Sequence, residues 1–280
     1  MRYGLNLGAC VDPRTLAQWA ALAEDAGWDG IFLEDYIVYQ GRQDIPTYDP
    51  WVALAAMAMR TERIRLGTEV MPLARRRPWK VAREAVTLDH LSNGRLVLGV
   101  GIGDASGPDF ANFGEVTDSK TRAGMLDEAL QVLVGLWSGE PFSHEGEHYR
   151  VRDVTFLPRP AQRPRIPIWV GGSYPHRRPM RRAARWDGYC VYRWTDDGHW
   201  EDLTPTEVQV AKAFIESRRP APGAFDIVVG GTERGPDWEL ERELIGALAG
   251  AGATWWTEWV PPLNQGEMRA RMARGPLRVD

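Results

Sequence analysis

Cysteine is nearly absent from this chain, and that scarcity excludes a disulfide framework. Cys10 and Cys190 are the only two in 280 residues. Both sit in or beside apolar, strand-like segments, where cysteine usually serves as inert packing. Lysine is scarce as well, present only at Lys80, Lys120 and Lys212, so arginine carries nearly all of the positive charge. There is no basic excess: the formal net charge is -4, and nucleic-acid binders usually show the opposite balance on one face. No apolar run approaches the roughly 18 residues of a membrane span, and the segment from Met1 leads directly into a strand-like run. The expectation is a cytoplasmic protein with a small-molecule substrate, no nucleic-acid partner and no membrane partner.

What the chain has instead is alternation. Strand-like apolar runs occur at Tyr3 to Leu7, Gly30 to Leu33, Ile64 to Val70, Leu96 to Gly101, Ile166 to Val170, Gly188 to Tyr192, Phe225 to Val229 and Ala253 to Glu258. Most are apolar on consecutive residues, as strands covered on both faces are. Amphipathic helical stripes lie between them, for example Leu16, Trp19, Ala20 and Ala23, or Leu126, Ala129, Leu130, Leu133 and Trp137. Gly-rich junctions such as Ala26 to Gly30 and Gly250 to Ala253 end a helix and reverse into a strand. Eight alternations predict an α/β fold, a (β/α)8 TIM barrel formed as a single domain over residues 1–280. An open doubly wound sheet is the alternative, because alternation alone does not show closure. The rhythm breaks between Gly139 and Pro167, where Phe142 to Val151 reads as a hairpin closed at Glu145-Gly146 and inserted after the fourth helix.

Chemistry-bearing motifs concentrate after the strands. Arg75 to Asp104 reads as one unit: a basic helix start at Pro78, an Asn93-Gly94 stop, then a strand ending in Gly101-Ile102-Gly103-Asp104. A dinucleotide fingerprint would need a third glycine where Ser106 stands and a helix opening at once, so that reading fails. His144-Glu145-Gly146-Glu147-His148 matches a zinc-protease pattern, but that chemistry needs a helix and this segment reads as a hairpin, so no metal site is expected. Arg75-Arg76-Arg77 forms either a solvated face or an anion contact at the barrel rim. Glu34-Asp35-Tyr36, Thr68-Glu69-Val70, Asp104, Gly171-Gly172-Ser173, Arg193-Trp194 and Gly230-Gly231-Thr232 all follow strands, and in a barrel they converge on one mouth. Gly171-Gly172-Ser173, followed by the basic His176-Arg177-Arg178, reads either as a phosphate-cradling turn or as a plain glycine turn.

Thr87-Leu88-Asp89-His90-Leu91-Ser92-Asn93-Gly94-Arg95 running into Leu98-Gly99-Val100-Gly101-Ile102-Gly103 resembles the luciferase-like monooxygenase superfamily. So do Ile166 to Ser173, Trp186-Asp187-Gly188 and Gly252 to Trp256. The resemblance implies a (β/α)8 barrel that uses reduced FMN or the deazaflavin coenzyme F420. It also implies a non-proline cis bond at Glu69-Val70, behind the cofactor ring. Thr68, Glu69, Val70, Gly101, Gly103, Gly171, Gly172 and Ser173 then become cofactor contacts, and Asp35 and Asp104 become catalytic candidates. Tyr36 departs from the histidine that deazaflavin members often carry. Arg193, with Arg75 to Arg77, is a candidate anion contact, and Trp194 a pocket wall.

The leading expectation is a flavin-dependent monooxygenase acting with O2 on a small organic substrate, fed by a separate flavin reductase. The alternative is an F420-dependent hydride-transfer oxidoreductase, and a third reading is a non-catalytic flavin-binding barrel. By resemblance the protein is expected to be a homodimer.

Overall fold

The computed structural model describes residues 1–195, 200–220, 223–262 and 264–279. The first half comprises β1 (Arg2–Gly8), α1 (Pro13–Asp25), β2 (Gly30–Glu34), α2 (Pro50–Ala58), β3 (Arg65–Thr68), β4 (Met71–Pro72), α3 (Pro78–Leu91), β5 (Leu96–Gly101), α4 (Pro108–Ala111) and α5 (Ser119–Trp137). The second half comprises β6 (Phe142–Glu145), β7 (Arg150–Val154), β8 (Ile168–Tyr174), α6 (Arg177–Ala183), β9 (Gly188–Trp194), β10 (Trp200–Glu201), α7 (Pro205–Glu216), β11 (Asp226–Gly230), α8 (Trp238–Gly250), β12 (Trp255–Val260) and α9 (Gln265–Ala273). Helix starts follow the local chemistry. Asp12, Asp49, Asp118 and Asp237 each accept first-turn N–H groups, and Thr204 with Glu207 forms a reciprocal cap.

Eight of the strands close into a parallel ring. Going round, β1 pairs with β2, then β3, β5, β8, β9, β11 and β12, and β12 returns to β1 with Arg2 opposite Trp255. That last pairing separates the barrel from the open sheet. The helical stripes anticipated on α1 and α5 are buried against the outside of the ring. No helix among the described residues is long and apolar enough to cross a membrane.

Inside the ring a second, smaller core is made by Phe32, Val97, Trp169, Cys190, Val228 and Trp255. Phe32, Trp169 and Trp255 lie 5.2 to 5.7 Å apart between ring centroids. Full burial of such a side chain contributes about 2–3 kcal/mol. Space for the rings comes from glycines on neighbouring strands: a Cβ on Gly4 of β1 would stand 2.9 Å from Phe32, and one on Gly188 of β9 2.4 Å from Trp169. This plug fills the lower barrel and leaves the C-terminal end of the strands as the open mouth. Cys10 and Cys190 are both buried and free.

Three local expectations shift. The run from Ile64 to Val70 breaks after Thr68 at a cis Glu69–Val70 bond and resumes as β4. Gly171-Gly172-Ser173 is part of β8, paired in register with Cys190, Val191 and Tyr192, rather than a turn. Both glycines have extended backbone there, and the chain turns only after Tyr174, at a cis bond to Pro175. In the β6–β7 hairpin the turn occupies residues 146–149, where Glu128 of α5 accepts the N–H groups of Glu147, His148 and Tyr149. That places His144 on a strand and His148 in a turn, and among the described residues no group of three potential ligands could hold a metal.

Candidate active site at the barrel mouth

The period of two along a strand decides which side chains enter the barrel. On β2 it puts Gly30, Phe32 and Glu34 inside, and on β3 it puts Gly67 and then Glu69 inside. Leu33 pairs with Thr68, and the Glu69 N–H donates to the Leu33 carbonyl at 3.1 Å, so Glu34 and Glu69 stand side by side on adjacent strands. The Thr257 hydroxyl of β12 donates to Glu69 Oε1 across the barrel at 3.3 Å. Glu34 Oε2 and Glu69 Oε2 are buried and have no hydrogen-bond partner. Burial pushes the Glu34 carboxyl up to about 7, with Tyr39 and Trp259 close enough to offset part of the rise, although the Trp259 N–H makes no hydrogen bond of good geometry. Burial pushes Glu69 up to about 8 against the Thr257 hydrogen bond, and the Glu34 charge adds to the rise.

The neighbouring strand β1 places Gly8 opposite Glu34. A Cβ on Gly8 would lie 2.2 Å from the Tyr39 ring, so glycine is what lets that buried tyrosine stand against Glu34. Asn6, two residues earlier on the same face, is only 8% exposed, and its Oδ1 has no partner.

The floor of the mouth is Val70. Its side chain packs on the inner core, 3.0 Å from where a Cβ on Gly101 would stand and 2.9 Å from one on Gly171. Gly101 and Gly171 therefore make room for Val70, which occupies the space between their strands. Thr68 is buried, and its hydroxyl donates to the Gly99 carbonyl at 2.7 Å, tying β3 to β5. Gly103 has φ +75°, and a Cβ there would meet Phe110 at 2.6 Å. Asp104 is exposed at the rim and accepts from the Ser106 N–H and hydroxyl at 2.9 and 2.7 Å. Its charge helps to raise the nearby Tyr36 and Tyr192 hydroxyls, though burial is the larger cause for both.

Asp35 lies on the opposite side of the strand from Glu34 and is 4% exposed. Arg76 grips it through two N–H···O bonds of 2.9 Å, and Arg75 reaches both Asp35 and Asp109. Asp109 also accepts the Ile37 and Val38 N–H groups. The four charges clamp the loop after β2 to α4, and the structure does not bring Asp35 together with the two glutamates. Arg75 and Arg76 thus satisfy carboxylates of the chain itself, while Arg77 is exposed at the start of α3. Arg193 is paired with Glu201 and Glu207. His176, Arg177 and Arg178 are exposed just beyond β8. Trp194 stacks in a tilted cluster with Trp200 at 4.6 Å, and Trp200 with Tyr192 at 4.2 Å, forming one wall of the rim.

The resemblance singles out Asp35 within Glu34-Asp35-Tyr36, whereas the structure turns its neighbour Glu34 into the mouth. The alternation Gly30, Phe32, Glu34 was the available signal. Tyr39, Thr257 and Asn6 carried none, because their part in the mouth depends on strands distant in the sequence.

The profile of the family described as luciferase-like monooxygenase matches residues 1–232. An F420-dependent glucose-6-phosphate dehydrogenase from Microbacterium testaceum is 36% identical over 173 residues, 58% of this chain and 48% of that protein. The chain spans about half the length of the curated relatives it matches. An F420-dependent secondary alcohol dehydrogenase, solved with an F420–acetone adduct, has the same fold with a TM-score of 0.78 at 16% identity, over 100% of this chain and 99% of that one. A monooxygenase from Streptomyces bottropensis gives 0.76 at 22%, over 97% and 96% of the two chains.

Proposed function

Because the chain belongs to the luciferase-like monooxygenase family, we propose that it is an F420-dependent oxidoreductase that takes a hydride from a small hydroxyl-bearing substrate. The observation that carries the choice of cofactor is the 36% identity to a dehydrogenase named for F420, over more than half of the chain. It favours the hydride-transfer alternative over the oxygen-using reading that the sequence placed first.

The mouth fits such a group. Val70 offers an apolar floor between two strands that carry glycine where a Cβ would crowd it. Around that floor, Asn6 Oδ1, Glu34 Oε2 and Glu69 Oε2 are acceptors still lacking donors, and a deazaflavin pyrimidine edge and a substrate hydroxyl both supply donors. Oxidised F420 bound there would serve as the hydride acceptor. Val70 would support its ring, and Gly101 and Gly171 would keep the floor low. Ser173, with His176, Arg177 and Arg178 beyond it, lies where the phosphate side would run. Tyr36, Tyr192, Trp194 and Trp200 would screen the mouth from water.

Titrating the protein with F420 and with FMN, followed by anaerobic turnover on a panel of alcohols and sugar phosphates, tests the reading. Tight F420 binding with bleaching of its absorbance on substrate addition is expected. Preferential FMN binding with substrate-dependent oxygen consumption would restore the monooxygenase reading.

A further inference from the structure

Two carboxylates side by side in a partly desolvated site cannot both ionise cheaply, because each charge opposes the other. Glu34 and Glu69 meet that condition through strand register, since β2 and β3 are paired up to Leu33 and Thr68 and the glutamates follow directly on the inner face. Each has one oxygen buried without a partner. Independently, Asn6 of β1 sends a nine-tenths-buried side chain to the same inner face, and its Oδ1 is also without a partner. Three acceptors left open in one place point to a ligand that brings hydrogen-bond donors.

We propose that Glu34 and Glu69 act as one acid–base pair, holding a single proton between them and receiving the substrate's hydroxyl proton as its hydride departs, with Asn6 orienting that hydroxyl. The inference rests on the hydride-transfer reading above. In the step, the substrate C–H bond breaks and its electron pair leaves with the hydrogen to the oxidised deazaflavin. The O–H bond breaks as the carbon–oxygen double bond forms, and the proton passes to the ionised member of the pair. The reverse reaction returns the proton from the same carboxyl.

The surroundings suit the task. Cys10, Tyr36 and Tyr39 face Glu34 from the ends of β1 and β2, and Cys190 faces Glu69 from β9. All four are groups that stay neutral at pH 7, and burial drives the thiols and phenols further from ionisation. Arg42 acts on Cys10 and Tyr39 from an exposed position, paired with Asp44. The Asp35–Asp109 carboxylates are neutralised by Arg75 and Arg76, and Asp104, which with Asp109 also acts on Tyr36, lies exposed at the rim. Burial also raises Asp202, which accepts from the Thr232 hydroxyl beyond β11, to about 6, so the glutamate pair is the higher of two carboxyl sets that change charge toward neutral pH.

The first test needs no cofactor. Carbon-13 resonances of labelled glutamate carboxyls, followed from pH 4 to 10, should show two that titrate near neutrality. Glu34→Gln should move the Glu69 titration to lower pH by removing the adjacent charge. Two ordinary carboxyls titrating near pH 4.5, or a Glu69 titration unmoved by Glu34→Gln, would overturn the shared proton. The second test uses the F420-loaded enzyme. Glu34→Gln and Glu69→Gln, each of which keeps an acceptor oxygen, should lower kcat about 10²–10⁴-fold, far more than they weaken F420 binding, and the pH–rate limb near neutrality should disappear. Variants turning over at the unaltered rate would overturn the acid–base role. An unaltered enzyme that binds no F420 would instead refute the reading on which the role depends.

Discussion

Val70 reaches across to Gly101 so closely that a single added Cβ would sit 3.0 Å from its Cγ2 methyl. The floor of the mouth is thus set by one valine and the hydrogen atom opposite it. Gly101 affects whatever binds above by determining where Val70 can lie.

A bulky residue at position 101 should therefore act through Val70. Gly101→Leu is expected to weaken F420 binding at least tenfold and to destabilise the fold by about 1–3 kcal/mol, the usual cost of overpacking. Gly101→Ala should cost less, and adding Val70→Ala should recover most of its loss. Isothermal titration with urea unfolding on the single and double variants measures both effects, and strict additivity would refute the coupling.

Asp35 should behave as a clamp. Asp35→Asn leaves Arg76 without its bidentate partner in a largely buried position, with Arg75 still held by Asp109. A loss of about 3 kcal/mol in unfolding free energy is expected. An unchanged stability with a selective fall in kcat would instead place Asp35 in the chemistry.

The glutamate pair also predicts how stability depends on pH. Folded Glu34 and Glu69 hold their protons to about 7 and 8, above the usual 4.5. The folded state therefore binds more protons than the unfolded one between those limits, and stability falls as pH rises from about 4.5 to 8. Glu34 contributes at most about 3 kcal/mol to that fall and Glu69 at most about 5 kcal/mol. Glu69→Gln should flatten the slope and stabilise the protein at pH 8, which urea midpoints at pH 5, 6, 7 and 8 would show.

Trp200 is 46% exposed and stacks on Tyr192 at the rim. Trp200→Ala is expected to raise KM for the substrate severalfold, with little change in folding stability. A change in kcat alone, with KM constant, would remove it from the pocket wall.

Much of the architecture was legible in consecutive residues. Eight apolar runs and the stripes of α1 and α5 are properties of neighbours in the chain, so periodicity reveals them. The position of the non-proline cis bond at Glu69-Val70 was accessible through family resemblance. Residues farther apart decided the site. Closure required β12 to meet β1, more than 240 residues away in the chain, and only then could Thr257 face Glu69. Whether an arginine at the rim is free for an anion or already neutralised depended on carboxylates 34 and 40 positions away, as Arg75 shows with Asp109 and Asp35. Local sequence determines which groups point inward and which elements form. Which charges meet, and so which carboxyls keep a proton, is decided where distant strands come into register, because burial and Coulomb energy depend on distance in space and not along the chain.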